Sequence, residues 1–150
     1  MSQIALITGG TSGIGLETAK ALASIGYNII IVGRREERLI KVSNELINNQ
    51  KVKVKYLVLD IRDRDSVSNS ISSLPDEWKN IDVLVNNAGL AVGLNSFDKG
   101  EFEDWERMID TNIKGLVYVS KFVVPFMISK KRGHIINIGS IAGKQEYLNG

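Results

Sequence analysis

Apolar and polar positions change period repeatedly along the chain, and each change marks an element. Ile4 to Thr8 is a short apolar run that reads as a strand. Leu16, Ala19, Leu22 and Ala23 then recur at helical spacing from Leu16 to Ile25, with Gly26 as the stop. Asn28 to Gly33 holds the β-branched run Ile29-Ile30-Ile31-Val32, as expected of a parallel strand buried on both faces. Glu36 to Ile47 returns to helical spacing through Leu39, Ile40, Val42, Leu46 and Ile47. Val52 to Leu59 predicts a third strand, ending at Asp60. Asp65 to Leu74 predicts a third helix that starts on an N-cap candidate and stops before Pro75. Ile81 to Val85 predicts a fourth strand, Glu101 to Lys131 a long helical stretch bent near Thr111 and at Pro125, and His134 to Ile138 a fifth strand.

This alternation predicts an α/β fold: a Rossmann-type doubly wound parallel sheet with right-handed crossovers and helices on both faces. Ligands of such sheets bind beyond the carboxyl ends of the strands, where strand order reverses. The distinctive residues fall there. They are the glycine turn after strand one, Arg34-Arg35 after strand two, Asp60 after strand three, Asn86-Asn87-Ala88-Gly89 after strand four and Ser140 after strand five. One crevice accounts for these placements better than five unrelated turns.

The turn Thr8-Gly9-Gly10-Thr11-Ser12-Gly13-Ile14-Gly15 reads T-G-x-x-x-G-x-G. It is not G-x-G-x-x-G, because Gly13-Ile14-Gly15-Leu16-Glu17-Thr18 ends in threonine. Glycines let the backbone turn tightly and approach a ligand, and a helix beginning near Gly13 aims unpaired N–H groups and its positive dipole end at an anion. Thr11 and Ser12 add hydroxyl donors. After strand two, where an acid would hold the ribose 2′-hydroxyl of NAD, stand Arg34 and Arg35. A guanidinium can donate two parallel charge-assisted hydrogen bonds to a 2′-phosphate, so the pair points to NADP; a solvated pair opening helix two is the plainer alternative. Asp60 can accept from the adenine amino group beside the apolar face of Ile61, or act as a capping acid in a loop. Ala88 and Gly89 permit close backbone approach, and the amides of Asn86 and Asn87 can bridge strands or touch ribose.

Bulk composition narrows the partners. The 150 residues suit one domain, and 43% hydrophobic with 24% charged is ordinary for a globular protein. A net charge of +2 with interspersed signs argues against nucleic acid or an acidic membrane surface as partner. The basic cluster Lys130-Lys131-Arg132 sits where cations suit a helix C-terminus. With no cysteine there is neither a disulfide framework nor a thiolate site, and a cytoplasmic setting is expected. The run Ile4 to Ile7 is too short for a signal peptide, and Ile113 to Ser129 carries Lys114, Lys121 and Pro125, unlike a membrane span. No metal-ligand spacing occurs, and the single histidine, His134, opens strand five away from the crevice.

The glycine turn, Asn86-Asn-Ala-Gly89, Asn112 in Thr111-Asn-Ile-Lys-Gly115 and Ser140 in Ile136-Asn-Ile-Gly-Ser140 together resemble the classical short-chain dehydrogenase/reductase family along the whole chain. The turn is unlike T-G-x-x-G-x-x-G, the pattern of the extended, epimerase-like branch. Asn86 to Gly93 and Trp105 to Val119 look like the NADP-dependent branch that oxidises 3-hydroxy acids such as serine. The resemblance implies hydride transfer between NADP(H) and an alcohol or carbonyl substrate. It implies cofactor contacts from Gly9, Thr11, Ser12, Gly13, Ile14, Gly15, Arg34, Arg35, Asp60, Ile61, Asn86, Ala88 and Gly89. It gives Ser140 the role of steadying the substrate oxygen and Asn112 that of ordering a water in the proton path. By themselves Ser140 reads as a strand-end turn and Asn112 as a helix-bend hydrogen bond.

The family's Tyr-x-x-x-Lys does not occur in these residues: Tyr147 would need its lysine at position 151, and Lys144 precedes it. The expectation is therefore a dinucleotide-binding domain over 1–150, truncated after the fifth strand and inactive alone, with a non-catalytic NADP-binding module as the alternative. Strand five would then be an exposed apolar edge. A helix over Ile113 to Ile128, apolar nearly all round, would need cover on two sides; in the family it packs on the sheet and on a partner subunit, which implies a homo-oligomer.

Overall fold

Ile4–Thr8 (β1), Asn28–Gly33 (β2), Val54–Val58 (β3), Ile81–Asn86 (β4) and His134–Asn137 (β5) form one parallel sheet in the order β3-β2-β1-β4-β5 in a computed structural model that describes residues 3–93 and 95–145. Between and after them run the helices Gly13–Ser24 (α1), Glu36–Gln50 (α2), Arg64–Ser72 (α3), Asp76–Lys79 (α4), Phe102–Ile109 (α5) and Leu116–Ser129 (α6). Because strand side chains alternate between faces, β1 feeds two cores. Ala5 and Ile7 join Ile29, Ile31, Val83 and Val85 against Ala19 and Ala23 of α1 and Leu39, Val42 and Leu46 of α2. Ile4 and Leu6 join Ile30, Val32 and Leu84 against Val67 and Ile71 of α3 and Val119, Val123 and Met127 of α6. Helices on both faces make β1, β2 and β4 wholly apolar inside, and each Ile or Leu so buried contributes about 1.5–3 kcal/mol.

The elements differ from expectation mainly at their ends. Helix α1 starts at Gly13, before the first apolar repeat at Leu16, and α2 runs on to Gln50. The N-cap of α3 is Asp63, not Asp65: Asp63 Oδ1 accepts from the amides of Asp65 and Ser66, each at 3.0 Å. A cap must precede the turn whose N–H groups it serves, which leaves Asp65 within that turn, where an acid suits the dipole. The one-turn α4 has no counterpart among the expected elements; it buries Trp78. The long stretch from Glu101 is interrupted at Asp110–Gly115, a π-helical turn that contains Thr111, where the bend was expected.

A buried acid pins the base of the sheet. Asp82 Oδ2 accepts from the Ile4 amide at 2.9 Å, and Oδ1 from Lys130 Nζ at 2.9 Å and Arg132 Nη2 at 2.7 Å. Beyond suiting the end of α6, two of the three basic cluster residues thus hold that end to β4. Burial by itself would raise the Asp82 pKa, but these donors outweigh it and hold the carboxyl below the usual carboxylate range.

The far edge is uncovered. Every residue of β5 is exposed, Ile135 to 40% and Ile136 to 37%, as expected of an apolar edge. Outward-facing Val117 and Ile128 of α6 are 52% and 69% exposed and flank a shallow apolar groove with Leu116, Val124 and Pro125. Among the described residues no helix is long and apolar enough to cross a membrane.

Candidate functional site

Strand order reverses between β1 and β4, whose crossovers leave toward opposite edges, so their carboxyl ends part and open a crevice. A cavity of about 350 Å³ lies there. The turn after β1 supplies Gly9, Thr11, Ser12 and Ile14 to its wall; β2 leads to Gly33, Arg34 and Arg35; β3 leads to Asp60 and Ile61; β4 leads to Ala88 and Gly89. Of the residues expected on the cofactor, Gly13, Gly15 and Asn86 stand outside this wall.

Those three are placed to support it. A Cβ at Gly15 would collide with the Gly9 carbonyl and Asn87 Nδ2, so only glycine lets α1 start this close to the turn. Gly13, with φ +53°, opens α1. Asn86 is buried and donates through Nδ2 to Ser120 Oγ at 3.0 Å and Asn137 Oδ1 at 2.9 Å, joining β4 to α6 and β5.

Thr8 and Asn87 lock the turn to the end of β4. Thr8 Oγ1 accepts from the amides of Asn87 and Ala88, both at 3.0 Å, and Asn87 Nδ2 donates to the carbonyls of Thr8 at 2.9 Å and Gly9 at 3.2 Å. Gly9, at φ +66°, takes the left-handed conformation this lock requires. The helix end it presents suits an anion. Ser12 is the N-cap of α1 yet its hydroxyl makes no capping bond, and the first turn carries no acid of its own.

Charge gathers at the other end of the cavity. The Arg62 backbone N–H donates to Asp60 Oδ1 at 3.1 Å, and its Nε lies 3.0 and 3.1 Å from the two carboxylate oxygens. Arg62 Nη2 closes the fork on Oδ2 at 2.6 Å, with Arg34 Nη1 standing 3.9 Å from the same atom. The Arg62 bond keeps the Asp60 carboxyl below its ordinary range, and Asp60 raises Arg62 in return. Most acceptor capacity of Asp60 is thereby used. Arg35 opens α2 as its N-cap residue, and no side-chain cap bond ties it down.

The two catalytic candidates lie outside the cavity wall. Asn112, in the π-helical turn, spans the Leu90 backbone: Oδ1 accepts from its N–H at 2.9 Å and Nδ2 donates to its carbonyl at 2.8 Å. The bond runs to the loop after β4 instead of along the helix. Ser140 caps a short 3₁₀ turn, Ile141–Gly143, through a bond from the Ala142 amide at 3.2 Å, which leaves its O–H free to donate. Tyr147 lies outside the described residues. His134 is exposed at the start of β5.

Sequence reasoning missed Arg62, Leu90 and Thr111 in the wall. Thr111 is buried and its Oγ1 has no hydrogen-bond partner among the described residues. Of these only Arg62 had a signal, a cation two residues beyond a strand-end acid. Among the described residues no group of His, Asp or Glu is arranged to hold a metal ion.

Comparison with known proteins matches a family model described as short chain dehydrogenase over residues 3–150. The NADP-dependent 3-hydroxy acid dehydrogenase YdfG of Salmonella typhi is 48% identical over 147 residues, which are 98% of this chain and 58% of that relative. The chain thus spans under two thirds of the length of such curated relatives. A closed form of serine dehydrogenase complexed with NADP+ superposes with a TM-score of 0.90 at 46% identity, over 99% of this chain and 58% of that one. An NAD+-bound xylitol dehydrogenase reaches a TM-score of 0.93 at 29% identity, over 98% of this chain and 56% of that one. Backbone likeness of this degree extends to proteins holding either dinucleotide, so the choice of cofactor falls to side chains.

Proposed function

The chain belongs to the short-chain dehydrogenase family, and from that premise we propose that it is the NADP(H)-holding part of an oxidoreductase acting on an alcohol or carbonyl substrate, of the 3-hydroxy acid class. The observation that carries the cofactor reading is the presence of Arg34 and Arg35 in the wall of the same cavity as the open N-terminus of α1. The donor set fits the molecule at both ends. First-turn N–H groups of α1 and the hydroxyls of Thr11 and Ser12 would hold the pyrophosphate; the two guanidinium groups would hold the 2′-phosphate. Ile14 and Ile61 offer apolar cover, and Asp60 borders the adenine end. Gly9, Ala88 and Gly89 let the backbone come close. Gly13, Gly15 and Asn86 act by shaping the turn and the strand end.

The bound nucleotide would supply a hydride donor or acceptor at its nicotinamide. The chain's own part is to fix that ring beside the loop after β4. Ser140, with its O–H free, would steady the substrate oxygen. Asn112 would act beside it, its amide held in orientation by Leu90. The proton-transfer pair of the family has no counterpart in these 150 residues, so the chain alone is expected to bind without turnover. The apolar outer face of α6 supports a homo-oligomeric assembly, and a cytoplasmic location agrees with a cysteine-free sequence.

Titration of NADPH and NADH, followed by the fluorescence of the reduced nicotinamide, tests the cofactor reading. We expect NADPH to bind more tightly, by about tenfold or more for the extra charge-assisted contacts. Tighter NADH binding would refute the reading of Arg34 and Arg35. Measurable dehydrogenase turnover by the isolated 150 residues would refute the assignment of proton transfer to residues outside them. A full-length protein that binds NADPH and turns over no 3-hydroxy acid, alcohol or carbonyl compound would favour a binding module.

A further inference from the structure

Arg34 and Arg35 are not the only cations at the 2′-phosphate end of the cavity, and the single acid there is not free. Asp60 lies 3.9 Å from Arg34, close enough to compete with a phosphate for that guanidinium. It does not close on Arg34, because Arg62 already forks both of its oxygens, at 2.6 to 3.1 Å, and adds a backbone N–H. The clamp is only partly solvated, with about one third of either side chain exposed (35% for Arg62, 32% for Asp60), so water screens it incompletely. Arg62 faces Asp110 as well, which reinforces its charge; Asp110 is itself paired with Lys114 at 2.8 Å.

We propose that Arg62 is a positioning residue for cofactor choice: by holding Asp60 it keeps Arg34 available to the 2′-phosphate and keeps this end of the cavity cationic. The proposal rests on the reading that the site takes NADP(H). The charges make it specific. Three guanidinium cations in the wall face one carboxylate. Removing Arg62 alone lowers the net charge by one and frees Asp60 to turn onto Arg34, which opposes a dianionic phosphate but not a ribose hydroxyl. Removing the charges of Arg62 and Asp60 together restores the original net charge and leaves Arg34 without a competitor.

The test measures NADPH and NADH dissociation constants by fluorescence titration of the full-length protein and its variants. Arg62→Gln should weaken NADPH about tenfold, the scale of one charge-assisted contact, with NADH little changed. Arg62→Lys, which keeps the charge without the fork, should fall between. The double variant Asp60→Asn/Arg62→Gln should recover most of the NADPH affinity. An unchanged NADPH-to-NADH ratio in Arg62→Gln overturns the proposal while leaving the cofactor reading intact. So does a double variant as weak as Arg62→Gln, since Arg62 would then act on the phosphate or the fold directly. A parent protein without NADPH preference overturns the cofactor reading and this proposal together. Should Arg62→Gln fail to fold, Arg62→Lys and the double variant still decide the matter: recovery only in the latter supports the proposal, and recovery in neither overturns it.

Discussion

A hydroxyl buried 1% exposed at the end of β1 does more for the site than several residues that line it. Thr8 Oγ1 is the acceptor for two amide donors of the loop after β4, across 79 and 80 positions of sequence. Thr8→Val keeps the shape and removes the acceptor, leaving both N–H groups short of a partner in a part-buried place. That substitution should cost about 2–3 kcal/mol by chemical denaturation, whereas Thr8→Ser, which keeps the oxygen, should cost about 1 kcal/mol or less. NADPH affinity should fall with Thr8→Val, because the glycine turn loses its lock on β4. Legibility in the sequence stopped short of this role. The motif placed Thr8 next to the turn, but the use of its oxygen depends on which strand is its neighbour, and strand order is not written in local spacing. Arg62 was missed for a related reason. Its partner is two residues away, yet its importance depends on Arg34 arriving from another strand.

Element boundaries show where periodicity is informative and where it is blind. β1, β2 and β4 were legible because burial on both faces demands uninterrupted β-branched and aliphatic runs, and their ranges fall within a residue of expectation. The cap of α3 was not, since Asp63 and Asp65 are equally good cap residues and only the path of the chain distinguishes them. The π-helical turn at Asp110–Gly115 was visible only as an expected irregularity near Thr111. Its function in the fold is to present Asn112 outward to the Leu90 backbone. Asn112→Ala should therefore cost only about 1 kcal/mol of global stability, as both bonds are exposed to water. Amide hydrogen exchange at Leu90 should nevertheless accelerate clearly, because its N–H loses its acceptor. Asn112→Asp separates the two bonds: the acceptor for Leu90 N–H survives while the donor to the Leu90 carbonyl is lost, so Leu90 protection should be intermediate. Equal protection in all three proteins would mean that the loop is held by something other than this side chain.

At the scale of the whole molecule, the two ends of the sheet are secured differently. At the carboxyl ends neutral hydrogen bonds shape a binding cavity, and at the amino ends the buried carboxylate of Asp82 ties β1, β4 and the residues after α6 through one acceptor set. The sequence displayed Lys130 and Arg132 as cations at a helix end and gave no sign of an acid 48 and 50 positions earlier that binds them. Removing one partner from so buried a cluster is costly: Asp82→Asn should destabilise by on the order of 3 kcal/mol at neutral pH. The pH dependence follows from the depressed pKa. A carboxyl held below its unfolded value of about 3.9 contributes its full stabilisation above that pH. The contribution is then lost as pH falls through the folded pKa. Urea midpoints measured from pH 7 downward should run parallel for the parent and Asp82→Asn until about pH 4 and then converge, because protonation of the parent removes what the substitution has already removed. A gap between the two proteins that persists unchanged well below pH 4 would show that the charge of Asp82 is not what holds β4 to the end of α6, and that shape and neutral hydrogen bonding at this position suffice.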